Sequence, residues 1–469
     1  MQTLIQPCRS YDASEVASAL GAFRPLFEEA IRPGDRVALK PNWLAHRHKH
    51  RPDEWRSVIT SPEIITGVLD MVLDCLGGSG EIVITDAPQT DSSWPRIMER
   101  MEPAQWVARG RSRGVPISIL DLRDHEWVTR GDVNISRKTL PGDPLGSTCV
   151  DLGAHSEFVG HRPSGRGYYG ADYNTTETND AHSGVQHKYK LSRTVMSADV
   201  FVNLPKMKTH KKAGITCSLK NLVGINTYKN WLPHHNEGTP AEGGDQFPTD
   251  AASYKVEGLA TERFKAMLWS HPALGPWLIP VKFIGRKLFG ETREAIRSGN
   301  WYGNDTLWRM VLDLNKALFY ANPDGTLRPD AFASRKRYLS IVDGVIAGEG
   351  NGPEAPDAKH CGVLVGGTHP VAVDAVCAKI MGLDWQRIPC LRQAFEMTHY
   401  PLCEFTYKDI RVDSPESHLR GLLSEIVPDE ALRCRPHFGW IGHVELPAAQ
   451  PVHGGFSPPG DALHAGSTT

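Results

Sequence analysis

The chain has 469 residues, 40% of them hydrophobic and 23% charged, with a formal net charge of −2. That is the composition of a globular protein of two or three average domains, or of one large domain with insertions. Without a general basic excess a nucleic-acid partner is not expected, and no apolar run approaches the ~20 residues that span a bilayer.

The first residues, Met1 to Val16, lack the charged and apolar regions of a signal peptide, so a cytoplasmic location is expected. Ser14 to Ala30 has helical apolar spacing and leads through Pro33-Gly34 into the strand Arg36 to Lys40. His46, His48 and His50 follow in a polar loop that reads as solvated, not as a metal site. Ser61-Pro62-Glu63 opens a helix with an N-cap and a proline in the first turn, and Gly77-Gly78 closes it. Glu81 to Asp86 and Val115 to Leu122 read as further strands, and this strand–helix alternation predicts an α/β fold with a mainly parallel sheet and helices on both faces.

Arg123 to Tyr189 is rich in Gly, Ser, Thr, Asn and His and reads as an irregular insertion. Asp199 to Gly224 then joins the apolar strand Val200 to Leu204 to a run containing Lys206, Lys208, His210, Lys211, Lys212 and Lys220. Pro205 is expected to end the strand, the lysines to form a loop, and Ser218 to Val223 to begin a helix whose N-terminus helps hold an anion. Residues 226–304 are broken by prolines and read as a lid-like insertion. One α/β domain is thus expected from 1–225 and 305–445, with a disordered tail at 446–469. After a helix beginning near Asp305 come the strand Tyr338 to Asp343, the loop Gly348 to Pro353, the strand Cys361 to Val365 and the helix after His369-Pro370.

Lys40, Asp86, Lys206 and Asp343 each close an apolar strand in this reading. In open parallel sheets the ligand crevice lies at the carboxyl ends of the strands, so the four are expected in one cleft. Lysines beside acids suit either an anion held next to a hard cation or proton transfer on an anionic substrate. The expected substrate-binding residues are Lys40, Asn42, Lys208, Thr216, Lys220 and Asn221, and the expected catalytic residues are His210, Lys206, Asp86 and Asp343. His210 is expected to be a neutral base, because nearby lysines depress its pKa. If a divalent cation takes part, Mg²⁺ or Mn²⁺ on Asp86, Asp343 and Glu349 is expected, not zinc on histidine. His234 and His235 are adjacent and form no chelate on a strand. Lys211 and Lys212 are expected to face solvent. The nine cysteines form no CxxC pair, which argues against an iron–sulfur cluster. Neither a GxGxxG nor a P-loop motif supports NAD or a P-loop nucleotide.

The motifs KPN at Lys40 to Asn42, ITSPEII at Ile59 to Ile65, ITDAP at Ile84 to Pro88, NLPKMKTH…SLKNLVG at Asn203 to Gly224, DG…GEGNGP at Asp343 to Pro353 and HPVAVDAV at His369 to Val376 occur in order. Over residues 35–395 they resemble the domain-of-unknown-function 362 (DUF362) family, in a longer form with insertions and without a ferredoxin module. The resemblance implies no particular reaction. The residues favour an enzyme acting on a small phosphorylated or carboxylated substrate, a transferase or an isomerase. The alternative is a non-catalytic protein that binds an anion or an acidic partner.

Overall fold

The computed structural model of the chain describes residues 1–130, 133–250, 263–264, 266–271, 274–275, 277 and 295–447. Much of the expected lid and, from residue 448, the expected tail lie outside the described residues.

An 11-stranded sheet organises these residues. Its central part is parallel, in the spatial order Arg337–Glu349, Val200–Leu204, Arg36–Pro41, Glu81–Asp86 and Ile117–Asp121. Beyond Arg337–Glu349 the strand Asp357–Gly367 runs antiparallel, followed by Gln2–Pro7, Arg411–Asp413 and Gly421–Leu422. The chain lays strands outward from Arg36–Pro41 to Ile117–Asp121, then returns to add Val200–Leu204 on the opposite flank. The sheet therefore reverses its order between Arg36–Pro41 and Val200–Leu204, where Asn203 stands opposite Lys40. A crevice opens outside the carboxyl ends of strands at such a reversal, because the connecting helices diverge to opposite faces.

Alternation along the strands supplies a core on each face. Val200, Val202 and Leu204 point into one apolar cluster with Val37, Leu39 and Ile341. Phe201 points into the other with Met207, Val342 and the helix Leu307–Tyr320. The helix Pro62–Leu76 follows its expected course and ends on Gly77 in the left-handed region at φ 57°. The expected single helix at Ser14 to Ala30 is two, Ala13–Gly21 and Arg24–Ala30, with Pro25 early in the second.

Three sequence expectations are corrected by the structure. Lys206–His210 is a strand, parallel to Arg337–Glu349 and antiparallel to Gly214–Thr216. Pro205 interrupts the strand while the chain stays beside Arg337–Glu349; its carbonyl accepts from Asp343 N at 2.9 Å. Asp343 lies in the middle of a strand running on to Glu349, not at its end. The segment read as irregular between Arg123 and Tyr189 contains a hairpin, His125–Arg130 with Val133–Thr139, and the helix Thr175–Ala181. It also contributes Tyr168–Gly170, which pairs with Pro233–Asn236.

Candidate functional site

At the sheet reversal lies a cavity of about 300 Å³. Lys40, Asp86, Lys208, Lys220, Lys229 and His234 are among the residues that line it. Of the predicted residues, it also collects Asn42, His210, Thr216 and Asn221.

A hydrogen-bonded frame holds the floor. Lys40 Nζ meets Asp86 Oδ1 at 2.7 Å and donates to Asn221 Oδ1 at 3.1 Å. Asn221 Oδ1 also accepts from Asn42 Nδ2 at 2.8 Å, and Asn221 Nδ2 donates to Asn203 Oδ1 at 2.7 Å. Both Asp86 oxygens are further bound by backbone, Oδ1 by Ala87 N at 2.8 Å and Oδ2 by Trp43 N at 2.7 Å. Gly224 packs directly over this pair, where a Cβ would collide with the Asp86 carboxylate and the Lys40 ammonium. The glycine closing the NLVG motif is thus a close-approach glycine. On the opposite wall, a Cβ on Gly352 would strike the Thr209 carbonyl, so the Gly-rich loop can lie against the lysine strand.

The residues expected to begin a helix form one α-helical turn, Ser218–Asn221, followed directly by the 3₁₀ turn Leu222–Ile225. Its first amides are taken by Asp374, which accepts from Ser218 N at 2.6 Å and Leu219 N at 2.9 Å. Helix-dipole assistance to an anion is therefore corrected: Asp374 occupies that end, burial raising its pKa to about 7. The positive charge of the cavity comes from side chains instead.

Lys208, Lys220 and Lys229 make no ion pair with a carboxylate among the described residues. Lys208 Nζ donates to Asn42 Oδ1 at 3.0 Å and to the Val58 carbonyl. Lys229 Nζ donates to the carbonyls of Val223 at 3.0 Å and Asn226 at 3.2 Å. Burial, and then the neighbouring Lys40, lowers Lys220 to about 8. Burial lowers Lys229 to about 7, opposed by Asp86. The buried Thr216 hydroxyl has no partner among the described residues and belongs to the same wall. Lys211 and Lys212 are cavity residues too, contrary to the expected solvent exposure. Lys211 pairs with Glu354 at 3.2 Å, and Lys212 Nζ lies 3.2 Å from His235 Nδ1.

A pH dependence follows with a definite sign. The folded pKa values of Lys220 and Lys229, about 8 and about 7, lie below the ordinary 10.5. Their cationic forms are complete at lower pH and disappear as pH rises through these values. Affinity for sulfate, whose charge is fixed over this range, is expected to fall between about pH 6 and 9. Calorimetric titration across that range checks it; a flat profile would contradict the assignment.

Two of the histidines that line the cavity, His210 and His234, hold opposite tautomers. His210 Nδ1 accepts from Lys212 N at 3.0 Å and Ala213 N at 3.1 Å, which leaves the proton on Nε2. His234 Nδ1 donates to Leu232 O at 2.8 Å, which leaves a lone pair on Nε2. Burial and then surrounding lysines push both pKa values well below the usual histidine value. The expected base role of His210 is thus corrected to that of a hydrogen-bond donor. His234, in a stretch that reads as irregular in sequence, offers the lone pair.

Lys206 and Asp343 do not join the cavity. They pair at 2.9 Å with both side chains 0% exposed, and Tyr11 OH binds both, at 2.8 Å from Lys206 Nζ and 2.9 Å from Asp343 Oδ1. Glu349 instead receives Arg435 N at 3.0 Å. Asp86, Asp343 and Glu349 are therefore not brought together as metal ligands, since each serves a different partner. Among the described residues no group of three or more His, Cys, Asp or Glu is placed to hold a metal ion. His46 and His48 have structural bonds, with Nδ1 accepting from Ser93 N at 3.1 Å and from Arg51 N at 2.8 Å respectively.

Fold and site together define an α/β protein with a lysine-rich cavity at the reversal of a mainly parallel sheet. Residues 165–379 match the model of the family described as "Domain of unknown function (DUF362)". It is 25% identical over 383 residues to a thylakoid-associated protein of Synechocystis sp., covering 80% of this chain and 74% of that one. Two solved structures are similar at 10% identity, a Thermotoga maritima protein with a TM-score of 0.28 and the lactate racemase apoprotein of Thermoanaerobacterium thermosaccharolyticum with 0.27. The matches cover 75% and 72% of this chain but only 56% and 50% of those chains. Among the described residues no helix is long and apolar enough to cross a membrane.

Proposed function

We propose that the protein is an enzyme acting on a small phosphorylated or carboxylated substrate bound in the lysine cavity. The observation that carries this reading is the set Lys208, Lys220 and Lys229, three cavity ammonium groups without a carboxylate partner among the described residues. A cation kept out of water without a counter-ion is costly, and the burden is relieved when an anion arrives. Lys208, Lys220 and Lys229 hold the anionic group, with the Thr216 hydroxyl and His210 Nε2–H as neutral donors. His234 Nε2 accepts a proton from the substrate, and the cations stabilise the negative charge left behind. An anion bound beside His234 raises its depressed pKa and strengthens it as a base. Such proton transfer serves an isomerase or a transferase.

Native mass spectrometry of the freshly purified protein is expected to show a small organic phosphate or carboxylate that is absent from a Lys220→Ala variant. A neutral or cationic co-purified molecule would refute the reading. The tautomers have their own check. Long-range ¹H–¹⁵N spectra are expected to show His210 protonated on Nε2, His234 protonated on Nδ1, and neither ring titrating near pH 6.5. Protonation of His234 on both nitrogens at neutral pH would remove it as the base.

A further inference from the structure

A second cavity, of about 510 Å³, adjoins the first and shares the walls formed by Gln89, Asp91, Asn134, Tyr173 and Glu354. Its cations are Arg47, Lys49 and Arg96. Arg47 follows the strand that carries Lys40, and Arg96 stands in the first turns of the helix Trp94–Met101. Neither arginine has a hydrogen bond or ion pair among the described residues, whereas Lys49 lies 3.8 Å from Glu354. Their field is felt locally: burial, then Arg47, Arg96 and Arg100, lowers His46 to about 4. His46 Nδ1 accepts from Ser93 N at 3.1 Å, so its neutral ring keeps an Nε2–H. Two of the three acids that line this chamber are already engaged, and the third, Asp91, stands at the wall shared with the first cavity. Glu126 lies 3.4 Å from Arg123 and 3.6 Å from Lys138, and Glu354 lies 3.2 Å from Lys211.

The neck between the chambers has a different character. Burial, and then the Glu354 carboxylate, raises the pKa of Asp91. Burial, and then the Asp91 carboxylate, raises the pKa of Tyr173, so its phenol stays neutral. The Asp91 carboxylate repels an anion placed in the neck, and carboxylate and phenol together suit hydroxyl groups, which both donate and accept. Arginine forks, by contrast, match phosphate or carboxylate oxygens in pairs.

We propose that the two chambers form one binding site for an elongated molecule with an anionic group at each end and a hydroxylated, uncharged middle. The lysine chamber takes the reacting end and Arg47 and Arg96 take the far end. This rests on the anion-site reading of the lysine cavity and goes beyond it by fixing the length and second charge of the ligand.

Titration calorimetry on the full chain, with methanesulfonate and a series of α,ω-alkanedisulfonates, tests it with charges that do not change with pH. Linking two anchored groups raises affinity through effective concentration only when the spacer matches the distance between sites. One spacer length is expected to bind at least tenfold tighter than methanesulfonate. The Arg47→Ala/Arg96→Ala double variant is expected to lose that gain while binding methanesulfonate within twofold of the parent and keeping its melting temperature. Disulfonates no tighter than methanesulfonate at any length, or a gain that survives in the double variant, would overturn the two-chamber site alone. Failure of methanesulfonate to bind, or binding indifferent to Lys220→Ala, would overturn the lysine chamber and this inference with it.

Discussion

Replacing Asp343 by alanine is expected to destabilise the protein by about 3–5 kcal/mol, because it strands a buried ammonium group. Lys206 and Asp343 are both 0% exposed and face each other at 2.9 Å. The Asp343 carboxylate also accepts from Ser61 N at 3.0 Å and Tyr11 OH at 2.9 Å, so its loss frees donors on two other segments. Burial already pulls the Lys206 pKa below its ordinary value, opposed by Asp343. Without the acid, the lysine must deprotonate or drag water inward. Urea denaturation measures the loss. The double variant Lys206→Met/Asp343→Leu is expected to recover part of it, since apolar groups of similar volume often replace a buried pair without penalty. A loss below about 1 kcal/mol for Asp343→Ala would mean a solvated pair. It would restore these two residues as candidates for chemistry.

The parts of the molecule legible in its sequence are those whose signal is local. Arg36 to Lys40, Glu81 to Asp86 and Val200 to Leu204 carry β-branched runs bounded by turns, and their alternation with helices implies the parallel sheet. Where strands end placed Lys40, Asp86, Lys206 and Asp343 in one cleft, and only Lys40 and Asp86 of these line the cavity; Lys208 and Lys220, expected as binding residues from the lysine run, line it too. What escaped depends on contacts between distant segments. The lysine strand carries only Met207 as an apolar residue, and its sheet neighbour Arg337–Glu349 lies over a hundred positions away. Its lysines therefore look like a solvated loop until that partner is in place.

The same distance hid the role of Asp374, which takes the helix amides at Ser218 and Leu219 from another part of the chain. Lys206 and Asp343 looked identical in kind to Lys40 and Asp86, a charge after an apolar run. Both pairs are buried; they differ in that Tyr11 seals one, whereas the other lines the cavity. For His234 the only available sign was a histidine two residues beyond Leu232, within reach of its carbonyl. Adjacency to His235 drew attention to chelation instead of to the backbone bond that sets the tautomer.

Lys220 is the residue on which anion binding in this cavity turns. It is half-buried on the cavity wall, at the end of a one-turn helix held by Asp374, and no carboxylate pairs with it among the described residues. Removing a partner from a desolvated charged contact typically costs about 2–5 kcal/mol of binding, against about 0–1 for an exposed lysine. Lys211 is the internal control, because Glu354 already neutralises it at 3.2 Å. In calorimetric titrations with sulfate at about pH 6.5, where both Lys220 and Lys229 carry charge, Lys220→Ala is expected to bind at least tenfold more weakly than the parent. Lys211→Ala is expected to bind within about threefold of it, with both variants melting near the parent temperature. Equal, small effects of the two substitutions would show that the uncompensated lysines do not hold an anion, and would contradict the account.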